Sequence, residues 1–183
     1  MLEQKIVEHC APTLAGMKIA NLFNCRYEDF GTLVAEVWGQ NQKLNPKGVH
    51  LEILRIDSEH ALIYVYRPKM LREELARPDV QEVLKMFGYQ TFTEDACLRW
   101  LCDRLRTCKC FPHEIGIFLG YPLADVIGFI EQKGRNCKCC GFWKVYCDEQ
   151  EAKKTFAKYE KCSAVYRRVF SDGRSITQLT VAG

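Results

Sequence analysis

The sequence predicts an α+β protein, predominantly helical, with a small antiparallel sheet of two or three strands. Three observations carry that expectation. Apolar residues recur at helical spacing over most of the chain, and the period changes to two only around residues 49–67 and 142–147. No run approaches the ~20 apolar residues of a membrane-spanning helix. The 183 residues, 48% hydrophobic and 27% charged, have the make-up of an ordinary folded chain, and they are expected to form a single domain over residues 1–183.

Taken in order, Pro12 suits a first helical turn, and Leu14, Met17 and Asn21 follow at helical spacing, so residues 12–24 read as a helix with Cys10 just before it. A second helix, Tyr27 to Gly39, places Phe30, Val34 and Val37 on one face before Asn45-Pro46-Lys47-Gly48 breaks the chain. Val49 to Ile53 alternates apolar and polar residues, Asp57-Ser58-Glu59 is turn material, and Ala61 to Tyr66 is rich in strand formers. These make a β-hairpin over 49–67, with strands at 49–56 and 60–67. Helical spacing returns over Leu71 to Phe87 and, after Thr93 as N-cap, to Arg106, with Cys97, Leu98, Leu101 and Leu105 facing inward. The helical section 93–133 continues with two short helices around Gly120-Tyr121-Pro122. Phe142 to Tyr146 has strand character and is a candidate third strand. Asp148 and Glu151 make a capping box for a long C-terminal helix over 148–170, which Asp172-Gly173 ends.

A formal charge of +3 is too small to imply a polyanionic partner. Glu3 and Glu8 interrupt the N-terminus, which has no apolar stretch of signal-peptide length, and a cytoplasmic setting is expected. The eleven cysteines, odd in number and irregular in spacing, fit a reducing compartment better than a disulfide framework.

Such thiol density points to two rival sites. In Cys137-Lys138-Cys139-Cys140-Gly141, the C-x-x-C spacing lets one turn of backbone present two sulfurs to one metal. Cys137, Cys139, Cys140 and Cys147 are the candidate ligands of a zinc ion or an iron–sulfur cluster, with Cys108, Cys110, His113 and Cys162 as further donors. The pair also has the spacing of a thiol-redox couple. The alternative is an enzyme in which Cys10, its pKa lowered at a helix N-terminus, is the nucleophile, His113 the base and Glu114 the carboxylate that orients it. Free core cysteines and a plain helix-start histidine are the competing readings of the same residues.

Glu114 to Ile130 has the outline of a helix-turn-helix, but its second helix offers Ala124, Asp125, Gly128 and Glu131, which are poor tools for bases and phosphates, so no nucleic acid is expected. The last helix carries Lys153, Lys154, Lys158, Lys161, Arg167 and Arg168, a basic face suited to nucleic acid or to an acidic protein partner, which gives a third reading as an interaction module.

Four stretches together resemble a bacterial family known as domain of unknown function 3793. They are Cys10-Ala11-Pro12-Thr13-Leu14-Ala15-Gly16-Met17-Lys18-Ile19-Ala20-Asn21-Leu22-Phe23, Tyr64-Val65-Tyr66-Arg67, Phe111-Pro112-His113-Glu114-Ile115-Gly116-Ile117-Phe118-Leu119-Gly120-Tyr121-Pro122 and Phe142-Trp143-Lys144-Val145-Tyr146. The likeness spans nearly the whole chain and brings no activity with it. It implies a shared role for Cys10, Lys18, Arg67, His113 and Glu114, with Lys18 and Arg67 as substrate-binding residues. The Cys-Lys-Cys-Cys run does not look like a fixed part of the family's pattern.

Overall fold

The computed structural model describes residues 2–108 and 110–183. Lys109, inside the Cys108 to Cys110 thiol run, lies outside the described residues, as does Met1. The helices are α1 (Leu2–Leu14), α2 (Phe30–Leu44), α3 (Pro68–Leu75), α4 (Pro78–Lys85), α5 (Glu94–Thr107), α6 (Ile115–Phe118), α7 (Leu123–Glu131), α8 (Glu149–Ser171) and α9 (Ile176–Leu179). The strands are β1 (Ala20–Arg26), β2 (His50–Ile56), β3 (His60–Tyr66), β4 (Cys139–Cys140) and β5 (Lys144–Val145). The fold is α+β, as the sequence predicts. Among the described residues no helix is long and apolar enough to cross a membrane. The chain gathers into two compact units, residues 1–71 with 162–183 and residues 72–161.

In the first unit the sheet order is β1-β3-β2, antiparallel throughout. β3 is buried from Ala61 to Tyr66, which is why it shows no alternation: it is the central strand, covered on both faces. Arg26↔His60 and Ala20↔Tyr66 bound its pairing with β1. β2 pairs from His50↔Tyr66 to Ile53↔Ile63 and then shifts register, so that Arg55 faces Leu62 across a bulge. Leu2, Ile6, Cys10 and Leu14 form the inward stripe of α1 and pack with Phe23, Leu33, Val37, Leu51 and Ile63 in one core.

Three boundaries differ from expectation. Residues 12–24 are not a helix: the helical stripe begins at Leu2, Pro12 sits in the last turns of α1, and Gly16 at φ +73° turns the chain so that Ala20–Arg26 runs as a strand. The third strand of the sheet is therefore β1. The 142–147 stretch instead supplies β5, which pairs with β4 in a separate ribbon (Cys139↔Val145, Cys140↔Lys144). The helix expected over 71–87 is two helices, because Pro78 forces Arg77 into an extended conformation (ψ 127°) and then opens α4.

Arg67, which follows β3, is 3% exposed and fastens the first unit together. Its Nε donates to Thr13 O (2.7 Å), and its Nη2 donates to Leu14 O (2.7 Å) and Val181 O (2.8 Å). Two of those acceptors are terminal carbonyls of α1, which lack intrahelical donors and lie at the negative end of the helix dipole. Val181 N in turn donates to Leu14 O (3.0 Å). Arg67→Met leaves Val181 O without this donor and leaves Thr13 O and Leu14 O with only the backbone amides of Gly16 and Val181, and it is expected to destabilise the unit by about 2–3 kcal/mol. Arg67→Lys, whose single ammonium cannot reproduce the planar fork, is expected to recover only part of that loss. Urea midpoints of the two variants test this, and an unchanged midpoint for Arg67→Met refutes it.

Candidate functional site

The residues proposed from the sequence divide between the units: Cys10, Lys18 and Arg67 lie in the first, and His113, Glu114 and the cysteine run lie in the second. Cys10 is in the third turn of α1, not at a helix N-terminus, so it receives no help from the positive end of the dipole. It is completely buried, and burial pushes its thiol well above the usual cysteine range. Burial pushes the neighbouring Lys18 down to about 7, with the Cys10 sulfur pulling the other way. Lys18 Nζ donates to Ala20 O (2.5 Å), and Thr13 Oγ1 donates to Asn21 Oδ1 (2.7 Å) nearby in the chain. Arg67 is occupied with the carbonyls described above.

Glu114 is fully buried, and its carboxylate is engaged by Arg104 of α5, through Nε and through Nη2 at 3.4 Å, and by the Tyr89 hydroxyl at 3.4 Å. A buried carboxylate demands such partners. His113, next to it in sequence, packs edge-on against Phe129 of α7 (ring centres 5.0 Å apart, 64° between planes). The carboxylate and the imidazole thus serve different neighbours.

His113 lines a cleft of about 300 Å³ in the second unit. Gly116 of α6, Tyr121, and Asp125, Val126 and Phe129 of α7 form one side, and Cys140 to Lys144 of the β4–β5 hairpin form the other. The hairpin has only two residues per strand and is too short to hold itself. Asp125, 3% exposed, holds it: Oδ1 accepts from Tyr146 N (2.8 Å) and Cys147 N (2.9 Å), and Oδ2 accepts from Trp143 Nε1 (2.8 Å). Trp143 then stacks on Tyr121 (5.3 Å, 29°) and meets Phe156 of α8 edge-on (4.5 Å, 79°). A Cβ at Gly141 would fall 2.4 Å from the Phe156 ring, so the hairpin turn needs glycine to seat against α8. Burial raises Tyr121 to about 12, leaving a neutral phenol in the wall. Lys144 Nζ donates to Gly134 O (2.7 Å) and lies 5.8 Å from the centre of the Phe129 ring.

The cysteine run follows the pleat of its strand. Cys139 stands opposite the buried Val145 and packs on the aromatic core, whereas Cys140 stands opposite Lys144 and, like it, lines the cleft. Cys137 is half-buried and Cys147 exposed. Adjacent strand residues face opposite ways, so Cys139 and Cys140 do not converge on one point. Among the described residues no group of three or more His, Cys, Asp or Glu side chains is placed to hold a metal ion. No cysteine is in a disulfide.

Asp125, Phe129 and Lys144 are not among the site residues proposed from the sequence. Asp125 carried a readable signal: it is an acid near the start of the apolar segment Leu123–Glu131, and an acid on a buried helix stripe must find donors. Phe129 and Lys144 carried none, since only the hairpin's docking brings them together.

Residues 6–180 match the family described as "Protein of unknown function (DUF3793)", and the chain belongs to that family. No curated protein and no solved structure matches it.

Lys18 makes a prediction of its own. An unfolded lysine keeps its proton to ~10.4, so between about 7 and that value the unfolded state binds more protons and stability climbs with pH. Below about 7 both states are protonated and the climb stops. Above ~8.5 the unfolded state also loses the Cys10 proton, which the folded state retains, and this opposes the climb. Denaturant titrations are expected to show a gain of about 2 kcal/mol between roughly pH 7 and pH 8.5, absent in Lys18→Met. A flat wild-type profile over that interval contradicts it.

Proposed function

We propose that this protein binds a small organic ligand in the cleft of its second unit, with His113 as the group that hydrogen-bonds the ligand and exchanges a proton with it. One observation supports the reading above the others. The Phe111 to Pro122 and Phe142 to Tyr146 segments, far apart in sequence, contribute facing walls to a single cleft in which aromatic faces dominate and a few polar groups converge. Its volume of about 300 Å³ is at the lower end for such sites and fits a ligand of one or two rings. Neutral imidazole always carries one N–H donor and one acceptor, so it can both give and take a hydrogen bond.

A thiol reading is favoured by a second observation: Cys140 lines the same cleft as His113. In this arrangement Cys140, rather than Cys10, is the thiol available to a ligand, because Cys10 is sealed in the core. The geometry offers a zinc ion or iron–sulfur cluster no comparable support.

A ring-containing fragment library screened by NMR is expected to move the indole N–H resonance of Trp143, and Phe129→Ala is expected to weaken any hit about tenfold. Bound ligand is also expected to slow alkylation of Cys140 by a maleimide while leaving the exposed Cys110 unaffected. Hits that leave both the Trp143 signal and the Cys140 rate unchanged place binding elsewhere and defeat the proposal.

A further inference from the structure

We infer that the ligand of this cleft is a flat aromatic ring system carrying one carboxylate, with the carboxylate seated between Lys144 and His113. The inference rests on the binding role proposed above and adds the charge and shape of what is bound.

The sign of the charge follows from which groups still have hydrogen-bonding capacity to offer. Three ionisable side chains of the cleft decide it: Asp125, Lys144 and His113. Asp125 is the only carboxylate among the cleft's described lining residues; it is 3% exposed, and three of its roughly four acceptor sites are taken by the Trp143 indole and two backbone amides. It is spent on the fold and recruits no cation. Lys144 has three N–H donors and gives one to Gly134 O, which fixes the ammonium over the Phe129 ring while leaving donors over. His113 packs edge-on against the same ring and carries at least one N–H. The unspent polar capacity of the cleft is therefore donor in type and positive in sign, which matches an anion.

The shape follows from the walls. Tyr121 and Trp143 stack on each other at 29°, and Phe129 and Phe142 complete an apolar lining suited to a planar ring. An aromatic lining also suits a quaternary ammonium held by cation–π attraction. Here Lys144 already occupies the neighbourhood of Phe129, and a second cation would meet its repulsion without a free carboxylate to offset it.

The test compares matched probes on the full chain by calorimetry: indole-3-acetate against indole-3-acetamide, 1-naphthoate against 1-naphthamide, and choline. The acids are expected to bind about five- to tenfold tighter than their amides, a preference that shrinks as salt is raised. Lys144→Met is expected to bring acid and amide within about twofold, while Lys144→Arg retains the preference. Amides that bind the wild type as well as the acids do, or a preference that survives Lys144→Met, overturns the carboxylate assignment while leaving the binding role standing. So does choline binding tighter than either acid. If no ring-containing probe binds and none protects Cys140, the binding role falls and this inference falls with it.

Discussion

The cleft exists because one buried carboxylate takes three hydrogen bonds from a hairpin that could not otherwise stay in place. Asp125 stands on α7, and its donors come from Trp143, Tyr146 and Cys147, all 18 or more residues further along the chain. Two of these donors are backbone amides, so the carboxylate fixes the path of the hairpin as well as one side chain. Charge-assisted bonds of this kind are stronger than neutral ones, and the alternative, an unsatisfied buried carboxylate, is costly. Gly128 lets the same contact close: a Cβ there would lie 2.6 Å from the Cβ of Tyr146. Trp143 is thereby held between Tyr121 and Phe156, and the wall of the cleft follows from the anchor.

The first unit uses the same device with the opposite sign. Arg67 is a donor-only group buried among backbone acceptors, as Asp125 is an acceptor-only group buried among donors. Arg67 is satisfied by backbone carbonyls and Asp125 by two backbone amides and the Trp143 indole, which ties each charge to main-chain positions that are distant in sequence. Arg67 joins the end of α1, the exit of β3 and the segment at Val181. Glu114 follows a different rule, since its principal partner is another ion, Arg104, and the pair joins α5 to the start of α6. These buried ions account for much of what the family-like motifs contain. Arg67 and Glu114, read from the sequence as site residues, are engaged in holding helix ends and turns, and of the five residues to which the resemblance gives a shared role His113 is the one that lines the cleft.

What could be read in the sequence was what local periodicity and capping determine. The β2–β3 hairpin, α5 after Thr93 and α8 after Asp148 announce themselves by period and by end signals. What could not be read depended on contacts between distant segments. Residues 20–24 look helical beside Leu14 and Met17, but pairing with β3 makes Ala20–Arg26 a strand, and Gly16 supplies the turn that permits it. The break at Pro78 was legible in principle, because the residue before a proline resists the helical region. For the site, His113 was legible as a histidine in a break between helices, whereas Phe129 and Lys144, which line the same cleft, were not, since nothing local couples residue 129 to residue 144.

The cysteines show how strand geometry separates neighbours in a sequence. Written as a string, Cys137 to Cys140 looks like one cluster of sulfur, and chelation needs those sulfurs to converge. Once 139 and 140 enter a strand, the pleat sends one toward Val145 and the core and the other toward Lys144 and the cleft. The same alternation that separates the two thiols puts a thiol and an ammonium side by side across the ribbon. The bond from Lys144 Nζ to Gly134 O then holds that ammonium in place instead of leaving it to sample a long flexible tether. A charge that is already positioned loses less entropy when it meets an anion, so in this cleft selectivity by charge follows from a two-residue strand and one carbonyl.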